Sequence, residues 1–310
     1  MSISALTLPA FAKINLTLRV LDKGADGYHD LDTIFQTVSL HDTIQMSPMD
    51  QPHIILSCSD RSLSLGEDNL VIRAARALQD GRASNKGARI HLEKRIPLQA
   101  GLGGGSSDAA VTLLGLIRLW ELSPTKEDLL EIASQLGADV PLFLLGGTAR
   151  GTGIGDKLEP LADGAEKFLL IVKPNANVKT SDAYKALDER SLTSHNSKTI
   201  LSTSRRSQVF DKADLASLIN DFEVVAFDLA PEIRRAKAAL LKAGANAALL
   251  AGSGSAVFGI LDSEDAQRRA IQAIELEAGW RVFPCRMIGR STYRNEMGPA
   301  GENFALLFGR

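Results

Sequence analysis

The sequence predicts a two-domain α/β protein. Its 310 residues, 45% of them hydrophobic, are more than one hydrophobic core usually organises. Helical and extended patterns alternate along the chain without an internal repeat. Near residues 160–166 the segment EPLADGAE interrupts this alternation before an apolar run begins. We therefore expect one domain over residues 1–162 and a second over residues 163–310.

In the first domain, residues 88–96 alternate between apolar and polar side chains, which predicts a strand leading into a glycine-rich stretch. A helix is expected from about Asp108, with Ser106, Ser107 or Asp108 as its N-cap. A further helix opens at Ser123 and Pro124 and stops at Gly137. The glycines therefore connect a strand to the start of a helix.

The second domain carries the same mixture of elements. The apolar segment FLLIV, at 168–172, predicts a strand, and residues 189–208, rich in Ser and Thr, predict a mobile surface loop. Further along the chain the pattern predicts a helix over 231–243, two strands around a glycine turn within 243–261, a helix over 263–278 and an extended segment over 280–288. We derive no role for residues 289–310.

The composition of the chain indicates which binding partners and which cellular compartment to expect. The net charge is −2 and the pI is about 6.2, so no bulk attraction to nucleic acid or to anionic lipid is expected. Cys58 and Cys285 lie far apart without a CxxC spacing, which fits a reducing compartment. The N-terminal stretch lacks a basic region, and glycines interrupt the charge-free run near 243–261. We expect a cytoplasmic protein without a membrane or nucleic-acid partner.

The glycine-rich stretch PLQAGLGGGSSDAA, at 97–110, has the features of a phosphate-binding loop. Without Cβ atoms, backbone N–H groups can close on phosphate oxygens, and the following helix N-terminus attracts an anion. A flexible connector is the alternative reading. No lysine follows as a P-loop requires, Ser106 replaces the third glycine of a dinucleotide fingerprint, and the HRD and DFG motifs of protein kinases are absent from the sequence.

Three motifs together resemble the GHMP kinases, small-molecule ATP kinases named for galactose, homoserine, mevalonate and phosphomevalonate. They are PAFAKINL at 9–16, PLQAGLGGGSSDAA at 97–110 and AGSGSA at 251–256, and they occur in the family's order across nearly the whole chain. The resemblance implies an α/β (α+β) fold with an N-terminal ribosomal-protein-S5-like domain and a C-terminal ferredoxin-like domain. The active site is then expected in the cleft between the two domains.

The resemblance also implies ATP as co-substrate. The residues expected to bind it are Asn69 and the loop residues Pro97, Leu98, Gln99, Ala100, Gly101, Leu102, Gly103, Gly104, Gly105, Ser106, Ser107 and Asp108. Mg²⁺ is expected because the ATP phosphates need charge neutralisation. No sequence cluster indicates protein ligands for the ion, so we expect it to bind through phosphates and water.

Phosphoryl transfer to an alcohol needs positioning, charge neutralisation and an acceptor for the hydroxyl proton. Asp139 follows a helix stop and precedes Pro141, which holds its carboxylate on a defined turn; we expect it to orient the hydroxyl and accept its proton. Lys13 is expected to stabilise the developing charge. Outside the motif context, Asp139 would be an ordinary turn residue and Lys13 a solvated surface lysine.

The segment DGYH, at 26–29, resembles the GHMP kinases whose acceptor carries a cytidine diphosphate group, as do GADVP at 137–141 and ARG at 149–151. The resemblance implies that Tyr28 and Tyr184 sandwich the cytosine while His29 bonds its edge. A hairpin turn without a binding role, and a core position for Tyr184, are the alternatives. Five further residues are expected at the substrate: Asn15, Thr180, Gly252, Ser253 and Gly254.

The resemblance implies ATP-dependent phosphorylation of a hydroxyl of a cytidine-diphosphate compound in isoprenoid precursor biosynthesis. Two alternatives stay open: a GHMP kinase for mevalonate, homoserine or a sugar, and a non-catalytic nucleotide-binding protein of the same fold. DGYH and Tyr184 favour the first over another acceptor. The presence of both Lys13 and Asp139 counts against a non-catalytic protein.

Overall fold

The computed structural model describes residues 5–24, 27–83, 85–193, 218–275, 277–298 and 300. Its strands are β1 (Leu6–Lys23), β2 (His29–Met49), β3 (Ile54–Cys58), β4 (Gly87–Glu93), β5 (Thr148–Thr152), β6 (Lys157–Pro160), β7 (Phe168–Lys173), β8 (Ile219–Asn220), β9 (Ala247–Leu250), β10 (Val257–Leu261) and β11 (Arg281–Arg286). Its helices are α1 (Leu70–Arg82), α2 (Gly104–Leu119), α3 (Lys126–Leu136), α4 (Val140–Leu145), α5 (Thr180–Thr193), α6 (Glu223–Leu229), α7 (Pro231–Lys242), α8 (Glu264–Ile274) and α9 (Arg290–Glu296). Among these described helices, none has the length and apolarity needed to cross a membrane.

The N-terminal part is built on a seven-stranded sheet in the order β3-β4-β2-β1-β8, with β5 paired to β2 and β6 paired to β5. The pairing is antiparallel except between β3 and β4 and between β1 and β8. Alternate residues of the long strands, such as Leu6 and Leu8 in β1 and Ile44 and Met46 in β2, point into one core with α1, α2, α3 and α4. The helices therefore cover one face of this sheet.

The C-terminal part has a four-stranded sheet in the order β11-β7-β10-β9, in which every adjacent pair is antiparallel. The chain order of a strand, helices, two strands, a helix and a strand is that of a ferredoxin-like domain, so this prediction is confirmed. Side chains of α7 and α8, including Ile233, Leu240 and Ala270, cover one face. The other face packs against the first domain, where Ile171 and Phe258 of this sheet share a buried cluster with Ile14 of β1.

Helix α2 begins at Gly104, inside the glycine run, so the expected start near Asp108 and the expected cap at Ser106, Ser107 or Asp108 are wrong. The N-cap is Gly103, whose φ of 71° is in the left-handed region that glycine adopts without steric cost. The backbone turns into the helix at this glycine and needs no side-chain cap. Gly104 and Gly105 therefore contribute N–H groups of the first turn of α2.

Several other boundaries follow the sequence pattern. Helix α7 starts at Pro231, and β9 and β10 flank the glycine turn as predicted. Helix α3 starts later than expected, at Lys126, because Thr125 and Asp128 form a capping box. The loop predicted over 189–208 is wrong for 189–193, where α5 continues as helix, and its remainder lies outside the described residues.

Strand β8 and helix α9 also link the described parts of the chain on either side of residue 162. Strand β8 joins the N-terminal sheet beside β1, through Thr17 and Leu18. Helix α9 packs on the N-terminal core, where the buried Tyr293 hydroxyl donates to the Phe143 carbonyl at 2.6 Å. The predicted border at 162/163 lies between β6 and β7, outside both strands.

Candidate active site

A cavity of about 370 Å³ opens between the two parts of the chain, and both contribute to its wall. Leu31, Phe35 and Phe222 supply apolar surface to it. The structure brings ten of the predicted site residues together at this wall, namely Lys13, Asn15, Gly101, Gly103, Ser106, Asp139, Thr180, Tyr184, Gly252 and Ser253. The predicted cleft is therefore present as a single cavity.

Lys13 is a buried lysine, with only 4% of its surface exposed. Its Nζ donates to Asn15 Oδ1 at 2.9 Å, lies 3.4 Å from Asp139 Oδ2, and sits 5.3 Å above the Phe35 ring centre. Lys13 and Asn15 are two residues apart in β1, so their side chains leave the same face of the sheet. A buried ammonium group needs such partners, which argues against the alternative of a solvated surface lysine.

The orientation of the Asn15 amide is fixed from its nitrogen end. Asn15 Nδ2 donates to Thr33 Oγ1 at 2.7 Å, and that hydroxyl donates to the Thr17 carbonyl at 2.6 Å. Because the amide nitrogen is held by Thr33, the amide oxygen faces Lys13. This chain of hydrogen bonds positions the Lys13 ammonium within the cavity.

Asp139 is the N-cap residue of α4, directly after the turn at Gly137. Within the described chain, no backbone N–H of α4 donates to its carboxylate, although N-cap aspartates commonly accept such a bond. The side chain is 32% exposed and faces Lys13 across the cavity. The turn fixes the position of Asp139, and its carboxylate is available to an acceptor hydroxyl because it does not cap the helix.

Two glycine segments meet backbone to backbone beside these residues. A Cβ on Gly101, whose φ is 77°, would lie 1.9 Å from the Ala251 carbonyl oxygen, and one on Gly252 would lie 2.9 Å from the Gly101 carbonyl oxygen. The Ala256 N–H donates to the Ala100 carbonyl at 3.2 Å. The loop from the first domain is therefore docked on the AGSGSA segment, and side chains at either glycine would separate them.

The start of α2 faces the cavity through Gly103 and Ser106. The first N–H groups of a helix have no partner within the helix, and the helix dipole places a partial positive charge at this end. The 16-residue helix carries no acidic residue in its first turn. The end of the cavity beside Lys13 is therefore suited to a phosphate group.

Two residues expected at ATP have other roles in the structure. Asn69 caps α1: its Oδ1 accepts from the Val71 N–H at 2.9 Å and its Nδ2 donates to the Ser64 carbonyl at 2.6 Å. Asp108 is a buried residue of α2, and its Oδ2 accepts from Lys94 at 2.8 Å. Both side chains are directed into the domain, so the geometry does not support a direct nucleotide contact for either.

A second cavity, of about 320 Å³, lies on the other side of the glycine-rich loop. Pro97 and Leu98, at the start of the loop, line it. Its other walls carry four cationic side chains from both domains and one carboxylate, that of Asp60; the cationic residues are Lys94, Arg95, Lys173 and Arg281. The loop therefore separates a cavity that contains Asp139 from a positively charged one.

The aromatic end of the first cavity differs from the expected sandwich. The Tyr184 ring is stacked on the His29 ring, with centroids 5.6 Å apart and planes inclined by 18°, and it meets Phe222 edge-on at 4.9 Å. Tyr28 is 66% exposed and is not part of the cavity wall. Burial, together with the nearby Asp139 charge, raises the pKa of the Tyr184 phenol, which stays neutral.

A carboxylate on α5 explains why His29 lies on Tyr184. His29 Nε2 is 2.6 Å from Asp188 Oδ1, its Nδ1 is 2.9 Å from the Leu21 carbonyl oxygen, and Lys23 pairs with the other Asp188 oxygen at 3.0 Å. Asp188 thus draws the β1–β2 hairpin onto α5. Sequence reasoning missed this residue, although its position four residues after Tyr184 indicates a shared helix face.

The remaining predicted substrate residues lie where the two domains meet. Thr180 Oγ1 is 2.9 Å from Ser253 Oγ, and both line the first cavity with Gly252. Gly254, with a φ of 109°, supports this turn from behind. In the described part of the chain, no group of three or more His, Cys, Asp or Glu side chains has the arrangement of a metal site.

Comparison with known proteins agrees with this geometry. The family models for the GHMP kinases N terminal domain and the GHMP kinases C terminal match residues 69–147 and 205–279. The chain is 42% identical to the 4-diphosphocytidyl-2-C-methyl-D-erythritol kinase of Solibacter usitatus, covering 93% of this chain and 90% of that protein. It is also 42% identical to the kinase of the same name from Pelodictyon phaeoclathratiforme, over 96% of this chain and 97% of that protein.

Solved structures of kinases are also similar to this chain. A crystal structure of 4-(cytidine 5'-diphospho)-2C-methyl-D-erythritol kinase superposes with a TM-score of 0.76 at 34% identity, covering 92% of this chain and all of that one. A mevalonate kinase from L. major superposes with a TM-score of 0.69 at 15% identity, which shows the shared fold alone. The three sequence motifs, the two-domain architecture and these relatives agree, and the chain therefore belongs to the GHMP kinase family of small-molecule kinases.

Proposed function

We propose that the protein transfers the γ-phosphoryl group of ATP to a hydroxyl of 4-diphosphocytidyl-2-C-methyl-D-erythritol. The observation that carries the proposal is the pair of Lys13 Nζ and Asp139 Oδ2, 3.4 Å apart, beside a helix N-terminus suited to phosphate. The name shared by the relatives supports this acceptor. The proposal places the reaction in the cytoplasm, at a step of isoprenoid precursor biosynthesis.

The chemistry follows from the positions of Lys13 and Asp139. The acceptor oxygen attacks the γ-phosphorus, the bond from that phosphorus to the β–γ bridging oxygen breaks, and the hydroxyl proton passes to an Asp139 oxygen. The Lys13 ammonium, held by Asn15, stabilises the negative charge on the transferring group. The products are ADP and the phosphorylated acceptor.

ATP is proposed to lie across the glycine-rich loop. Its phosphates reach the N–H groups at the start of α2, and its nucleoside extends toward the cationic cavity beside Pro97 and Leu98. Mg²⁺ bound to the phosphates neutralises part of their charge. The donor set of the site fits an ion that arrives with ATP and keeps phosphate and water ligands, because Asp139 is the one carboxylate among the described residues lining the first cavity.

The acceptor is proposed to lie in the first cavity with its hydroxyl end at Asp139. The base then lies at the aromatic end, where Tyr184 and Phe222 supply π-faces and where His29, once released from Asp188 or the Leu21 carbonyl, can bond the edge of the base. Thr180 and Ser253 line the part of the cavity between Asp139 and the aromatic end, where their hydroxyl groups can donate to the diphosphate of the acceptor. Stacking of the base on Tyr184 requires the His29 ring to shift from its present place.

The experiment that tests the proposal measures ADP formation by the purified chain with ATP, Mg²⁺ and one acceptor at a time. The acceptors are 4-diphosphocytidyl-2-C-methyl-D-erythritol, mevalonate, homoserine and galactose. We expect acceptor-dependent ADP formation with the cytidine compound alone. Turnover of another alcohol would assign a different acceptor, and no turnover with a folded, ATP-binding protein would support a non-catalytic role.

A further inference from the structure

Three charged side chains are buried together beneath the glycine-rich loop. Lys94, Asp42 and Asp108 expose 4%, 0% and 3% of their side chains. Lys94 Nζ contacts Asp42 Oδ2 and donates to Asp108 Oδ2 at 2.8 Å. Burying charges is costly unless each is paired, so an arrangement of this kind calls for a reason beyond packing.

The three residues hold both ends of the loop. Asp42 Oδ1 accepts from the N–H groups of Arg95 and Ile96, at 2.5 and 2.8 Å, immediately before the loop begins at Pro97. Asp108 lies in the second turn of α2, just after the loop. Lys94 therefore links the loop entrance, through Asp42, to the loop exit, through Asp108.

We propose that Lys94, Asp42 and Asp108 are positioning residues that hold the glycine-rich loop in the shape that binds the phosphates of ATP. The proposal rests on the proposed function in taking this loop as the ATP site. Phosphate binding by backbone N–H groups depends on their convergence, which glycines alone do not enforce because they permit many backbone conformations. A buried, charged link between the loop ends removes that freedom before ATP arrives.

The charge state of Asp108 fits this role. Two carboxylates share one ammonium group, and Asp108 Oδ1 has no hydrogen-bond partner among the residues that the structure describes. Desolvation raises the pKa of Asp108 to about 8, Asp42 adds to the rise, and Lys94 opposes it. Besides these two, Cys58 on β3 and Asp60 interact with the cluster: burial raises the pKa of the Cys58 thiol, and Lys94 contributes to lowering the pKa of Asp60 after hydrogen bonds from Ser62. The raised pKa reduces the negative charge that Asp108 places under the phosphate site.

Lys94→Met in the full chain tests the proposal. The change keeps most of the side-chain length and removes the charged link, so the KM for ATP should rise about tenfold or more while the KM for the acceptor changes less than about twofold. Lys237→Met is the matched control: Lys237 pairs with Glu223 at 2.6 Å in the C-terminal domain, outside both cavities. Equal effects of the two variants on the KM for ATP would overturn the proposal.

A second variant separates positioning from direct contact. Lys94 lines the cationic cavity and is within reach of a nucleotide, whereas the Asp42 side chain has no exposed surface. Asp42→Asn should therefore also raise the KM for ATP if these residues act through the loop. If Lys94→Met alone raises it, Lys94 is a direct ATP ligand and the positioning role is wrong.

Hydrogen exchange of residues 97–107 in the ligand-free chain gives a readout that does not depend on turnover. Exchange should be about tenfold faster in Lys94→Met or Asp42→Asn than in wild type, with the C-terminal domain unchanged. If Lys94→Met fails to fold, Asp42→Asn carries both measurements, and unchanged loop exchange in it overturns the proposal. A wild-type protein that forms no ADP with any acceptor would instead contradict the proposed function, while the exchange result would still decide the positioning role.

Discussion

Replacement of Asp139 by Asn tests the proposed proton acceptor with little change in shape. The amide retains the size of the carboxylate but accepts a proton far less readily. Loss of a positioned general base typically lowers the rate by about 10²- to 10⁴-fold, which corresponds to about 2.7–5.4 kcal/mol of transition-state stabilisation. We therefore expect kcat to fall by about this factor.

The structure predicts that the fold and ATP binding survive the change. Within the described residues the Asp139 carboxylate accepts no capping hydrogen bond from α4, and Lys13 retains its bond to Asn15. The pair is buried on the Lys13 side and 32% exposed on the Asp139 side, and the introduced amide keeps an oxygen that can accept from the Lys13 ammonium. The melting temperature should therefore fall by no more than about 4 °C.

The assay follows ADP formation at saturating acceptor and varied ATP, with Asp262→Asn as the control. Asp262 pairs with Asn246 at 2.6 Å on an exposed part of the C-terminal domain, away from both cavities. We expect the control to keep wild-type kcat and both variants to keep the KM for ATP within about twofold. A folded Asp139→Asn enzyme with wild-type kcat would refute the general-base role.

Three further predictions follow from the same geometry. Tyr184→Ala should raise the KM for the acceptor by about 5- to 150-fold, the equivalent of 1–3 kcal/mol of base stacking, and leave the KM for ATP unchanged in initial-rate measurements. Gly103→Ala should raise the KM for ATP and lower the melting temperature, because φ is 71° and the new Cβ would lie 2.8 Å from Phe143 Cζ; Gly105→Ala, with its nearest contact at 3.6 Å, should keep the wild-type melting temperature. Because the pKa of Asp108 is raised from 3.8 to about 8, the folded wild type holds a proton that the unfolded chain has released, and its stability falls as pH rises across that window. In thermal melts, the melting temperature of Asp108→Asn relative to that of wild type should rise as the pH increases from about 4 to 8. A difference in melting temperature that stays constant with pH would contradict this prediction.

Local signals in the sequence predicted much of the fold. Proline at the start of α7, the apolar run of β7 and the glycine turn between β9 and β10 each act within a few residues, and each appears in the structure. Strand β8 gave no such signal: its two residues are a strand because they lie beside Thr17 and Leu18 of β1. Pairing between distant segments of this kind depends on the tertiary fold.

The candidate site also has features that the sequence predicted and features that it did not. Lys13, Asp139 and the loop glycines were predicted through motifs, and the structure places Lys13 and Asp139 in one cavity with Gly101 and Gly103. The direction of a side chain was harder to predict: Asn69 and Asp108 were expected at ATP, but in the structure both point into the domain. The placement of His29 on Tyr184 depends on a contact between His29 Nε2 and Asp188 Oδ1 of α5, which joins residues 159 positions apart in the sequence.

Transfer of label from ATP carrying a labelled γ-phosphate tests the central claim most directly. The purified chain is incubated with Mg²⁺, labelled ATP and an equimolar mixture of 4-diphosphocytidyl-2-C-methyl-D-erythritol, mevalonate, homoserine and galactose, and the products are separated. The account predicts that the label appears in the phosphorylated cytidine compound, and that Asp139→Asn abolishes most of this transfer. Label in any other alcohol, or released only as inorganic phosphate, would contradict it.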